Sequence, residues 1–203
     1  GEFEKPRYFA YKASICAHER SQKQGCNACI DVCSTRAIRA DGDHVFVEPH
    51  LCMGCGACAT VCPSGAMSYA YPSVPDLART LRTLISTYAK AGGRDPCILL
   101  HAEEGRVAIA QAARHGRGLP AHVIPMEVHH IVSVGLDVWL SALAYGAARV
   151  AVLRCCPHYR RIDVASAIQI VKYPSARTMK NGASRYHALA ASRASSACGA
   201  AQG

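Results

Sequence analysis

The sequence predicts two units of different class in a chain of 203 residues. Residues 1–72 read as an α+β unit. Residues 73–159 read as a partial α/β segment with β-α-β-α-β order and a parallel sheet. Residues 160–203 follow as a basic, low-complexity tail, expected to be disordered. Three observations carry this division. A cysteine pattern repeats at a fixed offset in the first third. Pro72-Ser73-Val74-Pro75 then stops any preceding element. After it, short apolar runs alternate with helical periods, which implies a parallel sheet with right-handed crossovers.

The repeat comes first, because self-similarity at a fixed period points to duplicated units. Shifting the chain by 29 positions carries Cys26, Cys29 and Cys33 onto Cys55, Cys58 and Cys62. Ala28, Val32 and Ala37 fall on Ala57, Val61 and Ala66, and Ile38 falls on Met67. Only the leading cysteine breaks register: Lys23 stands where a partner of Cys52 is due, and Cys16 lies seven positions earlier. The polar insertion His18 to Gly25 reads as a surface loop that brings Cys16 round.

Cys52-Met-Gly-Cys55-Gly-Ala-Cys58-Ala-Thr-Val-Cys62-Pro63 is C-x2-C-x2-C-x3-C-P, the spacing that holds [4Fe–4S] clusters. Closely spaced thiolates on a tight loop reach adjacent corners of an iron–sulfur cube. In the two-cluster pattern the fourth cysteine of each run ligates the other cluster. That rule assigns Cys16, Cys26, Cys29 and Cys62 to one cluster, and Cys52, Cys55, Cys58 and Cys33 to the other. Gly54 and Gly56 are expected to let the backbone approach the inorganic core and aim N–H groups at sulfur. Disulfides suit small secreted domains with a signal peptide, and no such peptide is seen. Paired zinc knuckles would not show a three-cysteine run followed by x3-C-P.

On these motifs residues 8–72 resemble a two-[4Fe–4S] dicluster ferredoxin of bacterial type. The resemblance implies a ferredoxin-like fold, two [4Fe–4S] clusters and electron transfer. The chain departs from the pattern at the displaced Cys16 and at Ser34, where the family usually has proline. Around the motifs, Tyr8, Phe9 and Tyr11 suggest a short strand covering one cluster. His44 to Glu48 alternates like a strand after the turn Asp41-Gly42-Asp43, and Ser68 to Tyr71 is the outgoing strand.

Beyond the prolines, Ser73 or Asp76 can cap a helix. Leu77, Leu81, Leu84, Ile85 and Tyr88 share one face of it, and Gly92-Gly93 ends it. Strands follow at Cys97–His101, Ala121–Met126 and Arg149–Leu153, with helices at Glu103–His115 and Gly135–Tyr145. Leu136, Leu140, Leu143 and Ala144 mark one side of the last helix. Three strands make a half-domain that something must complete. Val123 to Leu153, above all Leu140 to Leu153, resembles the delta subunit of methyl-viologen-reducing hydrogenases. That family passes electrons between hydrogenase and heterodisulfide reductase modules, and the resemblance implies a shared fold; the α/β half is expected to dock the ferredoxin unit to a partner. The family's cluster-binding cysteines do not map, because Glu127 stands where a strand-end cysteine is due. His129-His130 follow a strand end and suit helix entry or an interface better than metal, since adjacent residues do not face one another. Cys97 reads as core. Cys155-Cys156 form no C-x-x-C pair, and they and Cys198 receive no assigned role. No glycine-rich nucleotide loop follows any strand.

The charge is uneven. Of the net +9, residues 154–203 supply +7, from eight basic residues against the single acid Asp163. Ile162 to Lys172 is read as one amphipathic helix. The most apolar window, Ile131 to Leu153, is broken by Asp137 and Arg149, so no membrane span is expected. The start at Gly1, without methionine, suggests a domain cut from a longer protein.

The expected function is electron transfer through two [4Fe–4S] clusters, as a module of a larger redox protein or complex in the cytoplasm. Its expected partners are redox proteins or further domains of the same polypeptide, not nucleic acid. No general acid, base or nucleophile constellation is present, so no catalysis of its own is expected. Two alternatives remain at this level: the iron–sulfur part of a catalytic oxidoreductase, and a scaffold stapled by clusters with a nucleic-acid-binding tail.

Overall fold

The computed structural model describes residues 4–18, 25–153 and the backbone of 168–171. Residues 1–172 cluster as one compact unit and Tyr173–Gly203 as another. The second unit lies outside the described residues, as do Cys155, Cys156 and Cys198.

The sequence repeat reappears as a repeat of structure. The one-turn helices α1 (Ala28–Asp31) and α2 (Ala57–Thr60) stand at the same offset as the cysteines. So do the starts of strands β2 (Ile38–Asp41) and β4 (Met67–Tyr69). The remaining two strands, β1 (Phe9–Tyr11) and β3 (His44–Val47), complete two antiparallel ribbons. β2 pairs with β3 inside the first half, with Ile38 opposite Val47. β1 reaches across and pairs with β4, Phe9 opposite Tyr69. The first strand of the unit is thereby locked to its last. Phe9, Ile38, Val45, Val47 and Met67 form a small core, in which buried Cys16 and Cys29 also take part.

Helix α3 (Val74–Lys90) opens the second part. Ser73 caps it: its hydroxyl accepts the Asp76 N–H at 3.4 Å and donates to the Asp76 carboxylate at 2.5 Å. The Ser73 hydroxyl and the Arg79 guanidinium hold the Asp76 carboxyl below its ordinary range. A carboxyl lowered by folding stabilises the fold fully above its ordinary value. That contribution is lost as the pH falls through the lowered folded value. The N-terminus of α3 is therefore expected to loosen at the acid end, below pH 4, and Asp76→Asn to remove that acid step. Far-UV circular dichroism across the acid range of both proteins reads this out.

Of the predicted apolar face, Leu77, Leu81 and Ile85 are fully buried, and Leu84 packs at the edge. They cover a four-stranded sheet in the order β6-β5-β7-β8. The central strand β5 (Cys97–His101) is flanked in parallel by β6 (Val123–Glu127) and β7 (Arg149–Leu153). Helices α4 (Glu103–His115) and α5 (Leu136–Ala144) make the crossovers. Cys97 is buried with Leu99, Ala108, Ala151 and Leu153, as a core thiol should be. Burial pushes it above the ordinary thiol range, against the opposing charge of Arg149.

One expectation needs correction. The helix read over Ile162–Lys172 is not what residues 168–171 form. Ile168–Val171 is a strand, β8, antiparallel to β7 with Ile170 opposite Ala151. Ile-Gln-Ile-Val is rich in β-branched residues, and the edge of β7 offers unpaired backbone groups that a four-residue strand satisfies. This strand completes the half-domain. In α5, Leu136 and Leu140 face outward, at 66% and 46% exposure. The helix buries Val138 and Ala142 instead.

Candidate metal centre

Each repeat delivers its cysteines in the same manner. Cys29 lies in α1 and Cys58 in α2, so one helical turn fixes the third thiol of each set. Cys33 and Cys62 follow these turns and precede β2 and β4. Cys16 sits at the end of the 3-10 turn Ala13–Ile15 and is 8% exposed. The chain returns against it. The buried His18 Nδ1 lies 3.1 Å from the Cys26 carbonyl oxygen, and a Cβ on Gly25 would stand 2.4 Å from the Ala17 carbonyl oxygen. The displaced Cys16 is thus brought back beside the first run, as the insertion requires.

The charges of these thiols show which of them share surroundings. Cys29 is pushed up to about 11, first by burial and then by Cys16, Cys62 and Cys26. Cys58 is pushed up to about 12, by burial and then by Cys52, Cys55 and Cys29. Tyr69 is raised by burial, by Tyr8, and by Cys55, Cys52 and Cys58. Cys62, from the second run, therefore acts on the first-run Cys29, and the two sets adjoin through Cys29 and Cys58.

Desolvated thiolates that raise one another need positive charge, and iron supplies it when a cluster is bound. All nine cysteines among the described residues are free, so none of the eight is spent on a disulfide there. Among the described residues no three His, Cys, Asp or Glu side chains gather into a site for a single metal ion. The donor set thus has the chemistry that an iron–sulfur cluster requires.

Cys33 and Cys62 behave oppositely to Cys29 and Cys58. Burial would raise Cys33, but the Thr35 hydroxyl and the N–H groups of Ala37, Ile38 and Thr35 outweigh it and lower the thiol. Burial would likewise raise Cys62. The Met67 N–H at 3.3 Å, the Ser64 hydroxyl and the N–H groups of Ser64 and Ala66 outweigh it there. Each partner of Cys33 has a counterpart 29 residues on. Thr35 and Ser64 were not singled out from the sequence, although both carry a hydroxyl at equivalent places in the repeat.

Two glycines of the second run also make room for protein. Gly54 and Gly56 both have left-handed backbones, at φ +71° and +78°. What approaches them closely is protein. A Cβ on Gly54 would meet the Tyr8 ring at 2.7 Å, and one on Gly56 would meet Ser133 Cβ at 2.4 Å. The Gly54 carbonyl accepts the Tyr69 hydroxyl at 2.7 Å. Tyr8 in turn stacks on His129 at 5.2 Å between ring centres, and Tyr71 meets both rings edge-on. His129 is accordingly an interface residue, whereas His130 marks a helix entry: its Nδ1 accepts the Val132 N–H at 3.2 Å. Both lie at the turn Ile131–Ser133, through which the α/β part seats on the second cysteine run.

A family profile described as 4Fe-4S dicluster domain matches residues 24–66. This stretch is a ferredoxin-type iron–sulfur domain. No curated protein and no solved structure matches the chain significantly. The likeness of Val123–Leu153 to a hydrogenase delta subunit rests on its own residues alone. No helix among the described residues is long and apolar enough to cross a membrane.

Proposed function

We propose that the chain carries electrons through two [4Fe–4S] clusters with crossed ligands. Cys16, Cys26, Cys29 and Cys62 hold one, and Cys52, Cys55, Cys58 and Cys33 hold the other. The observation that carries the reading is the effect on Cys29 of three thiols, Cys16, Cys62 and Cys26, one of them from the far run. Iron supplies the one-electron chemistry. The protein holds the thiolates, excludes water with Phe9, Ile38 and Met67, and keeps the two sets adjacent through α1 and α2.

The α/β part, residues 73–159, serves as a docking unit in a larger redox protein or complex, located in the cytoplasm. Val132, Leu136 and Leu140 support this, because they leave apolar side chains exposed beside the turn that touches Gly56. Anaerobically purified protein is expected to contain about eight irons per chain and to show, on reduction with dithionite, the EPR signals of two interacting clusters. Zinc in place of iron, or about four irons, defeats the proposal.

A further inference from the structure

The structure assigns Thr35 and Ser64 a role that rests on the proposed clusters: their hydroxyls set the two reduction potentials, each acting on the cluster bound mainly by the other run. Thr35 Oγ1 lies 3.6 Å from Cys33 Sγ, and Ser64 Oγ lies 3.7 Å from Cys62 Sγ. The two pairs are related by the same offset of 29 as the cysteines themselves. With Cys33 and Cys62 as thiolates, neither sulfur has a proton to give, so each hydroxyl must be the donor. Ser64 is already oriented for this: its oxygen accepts the Ala66 N–H at 3.4 Å, leaving the hydroxyl proton for sulfur.

The sign follows from charge. A hydrogen bond to a ligating sulfur stabilises negative charge, and reduction adds one electron to the centre. The bond is therefore stronger in the reduced state and raises the potential. No proton leaves either hydroxyl during the step. Removing the donor must make reduction harder. Burial ranks the two sites: Thr35 is half-buried, whereas Ser64 is exposed and water can replace part of its bond. Thr35 is thus the stronger lever. Crossing then gives the effect its direction. Thr35, in the first repeat, acts through Cys33 on the cluster of Cys52, Cys55 and Cys58, and Ser64 acts through Cys62 on that of Cys16, Cys26 and Cys29.

The test is an EPR-monitored redox titration of the anaerobically purified full chain, with iron and sulfide content measured on the same samples. Thr35→Val is expected to shift one reduction equilibrium several-fold toward the oxidised form, where a tenfold shift corresponds to about 59 mV for one electron. Ser64→Ala shifts the other equilibrium by less. Thr35→Ser and Ser64→Thr keep the hydroxyl and leave the potentials in place. Full iron content with unmoved potentials overturns the assignment, and so does a shift in Thr35→Ser as large as that in Thr35→Val. If Thr35→Val holds no iron, Thr35→Ala takes its place. Loss of iron in both overturns tuning in favour of a purely structural role. An unaltered protein without iron–sulfur signals defeats the proposed function instead, whatever the variants do.

Discussion

Gly56→Ala is expected to destabilise the protein by about 2–5 kcal/mol, because two penalties fall on one position. The backbone there is left-handed, at φ +78°, which costs a residue with a Cβ about 1–2 kcal/mol. The new methyl would also stand 2.4 Å from Ser133 Cβ and 2.6 Å from Ser133 Cα, an overpacking worth about 1–3 kcal/mol. Gly54 provides the contrast. Its backbone is also left-handed, but its neighbour is the Tyr8 ring, a side chain that can swing aside, whereas Ser133 Cα is main chain. Gly54→Ala should therefore cost less. Ser133→Gly in the Gly56→Ala protein removes the Cβ clash and should recover part of the packing loss, leaving the backbone penalty. Urea unfolding of the native protein, Gly56→Ala, Ser133→Gly and the double variant completes a double-mutant cycle that measures the coupling. A loss of no more than about 1–2 kcal/mol in Gly56→Ala, the backbone penalty alone, would show that the contact with Ser133 yields freely.

This contact marks the limit of what the sequence discloses. The repeat at offset 29 is local and strongly patterned, and it anticipates α1 and α2, the starts of β2 and β4, and the placing of Cys33 and Cys62 in equivalent turns. The i, i+4, i+7 spacing of α3 anticipates Leu77, Leu81 and the rest of its buried face, and Ser73 declares its cap. The β-α-β-α-β order of residues 97–153 likewise follows from short apolar runs between helical periods. Contacts between distant segments leave no such period. Nothing near Gly56 points to Ser133. Nothing in Tyr8 announces His129, and their stacking exists only once β1 has paired with β4. In α5 the apolar residues surround most of the helix, so periodicity could not choose between the Leu136–Leu140 side and the Val138–Ala142 side. The packing of α3 chose the latter. Ile168–Val171 departs from the expected helix for a related reason: four residues are too few to separate period 2 from period 3.6, and the edge of β7 decides the outcome.

Cys62→Ser is expected to cost the protein one cluster and to reveal which one. Iron should fall from about eight to about four per chain, with one EPR signal of an isolated centre remaining. The decisive reading is which thiols become free. Cys62 stands four positions after Cys58, so if each run held its own cluster, its loss would expose Cys52, Cys55 and Cys58. The charge pattern argues otherwise, since Cys62 acts on Cys29 together with Cys16 and Cys26. In the crossed arrangement those three thiols are released and take up an alkylating reagent, while the second run stays protected. Mass spectrometry of the alkylated peptides separates the two cases. The damage should also reach the fold. Cys16 and Cys29 are core residues of the small unit, packed with Phe9, Ile38 and Met67, and metal binding is part of the folding free energy of such domains. Losing one ligand from the second run should therefore loosen the first half, with faster proteolysis near Cys16 and Cys26 than near Cys52 and Cys55. Release of the second-run thiols, with the first run intact, would mean that each run binds its own cluster and that the halves are joined by packing alone.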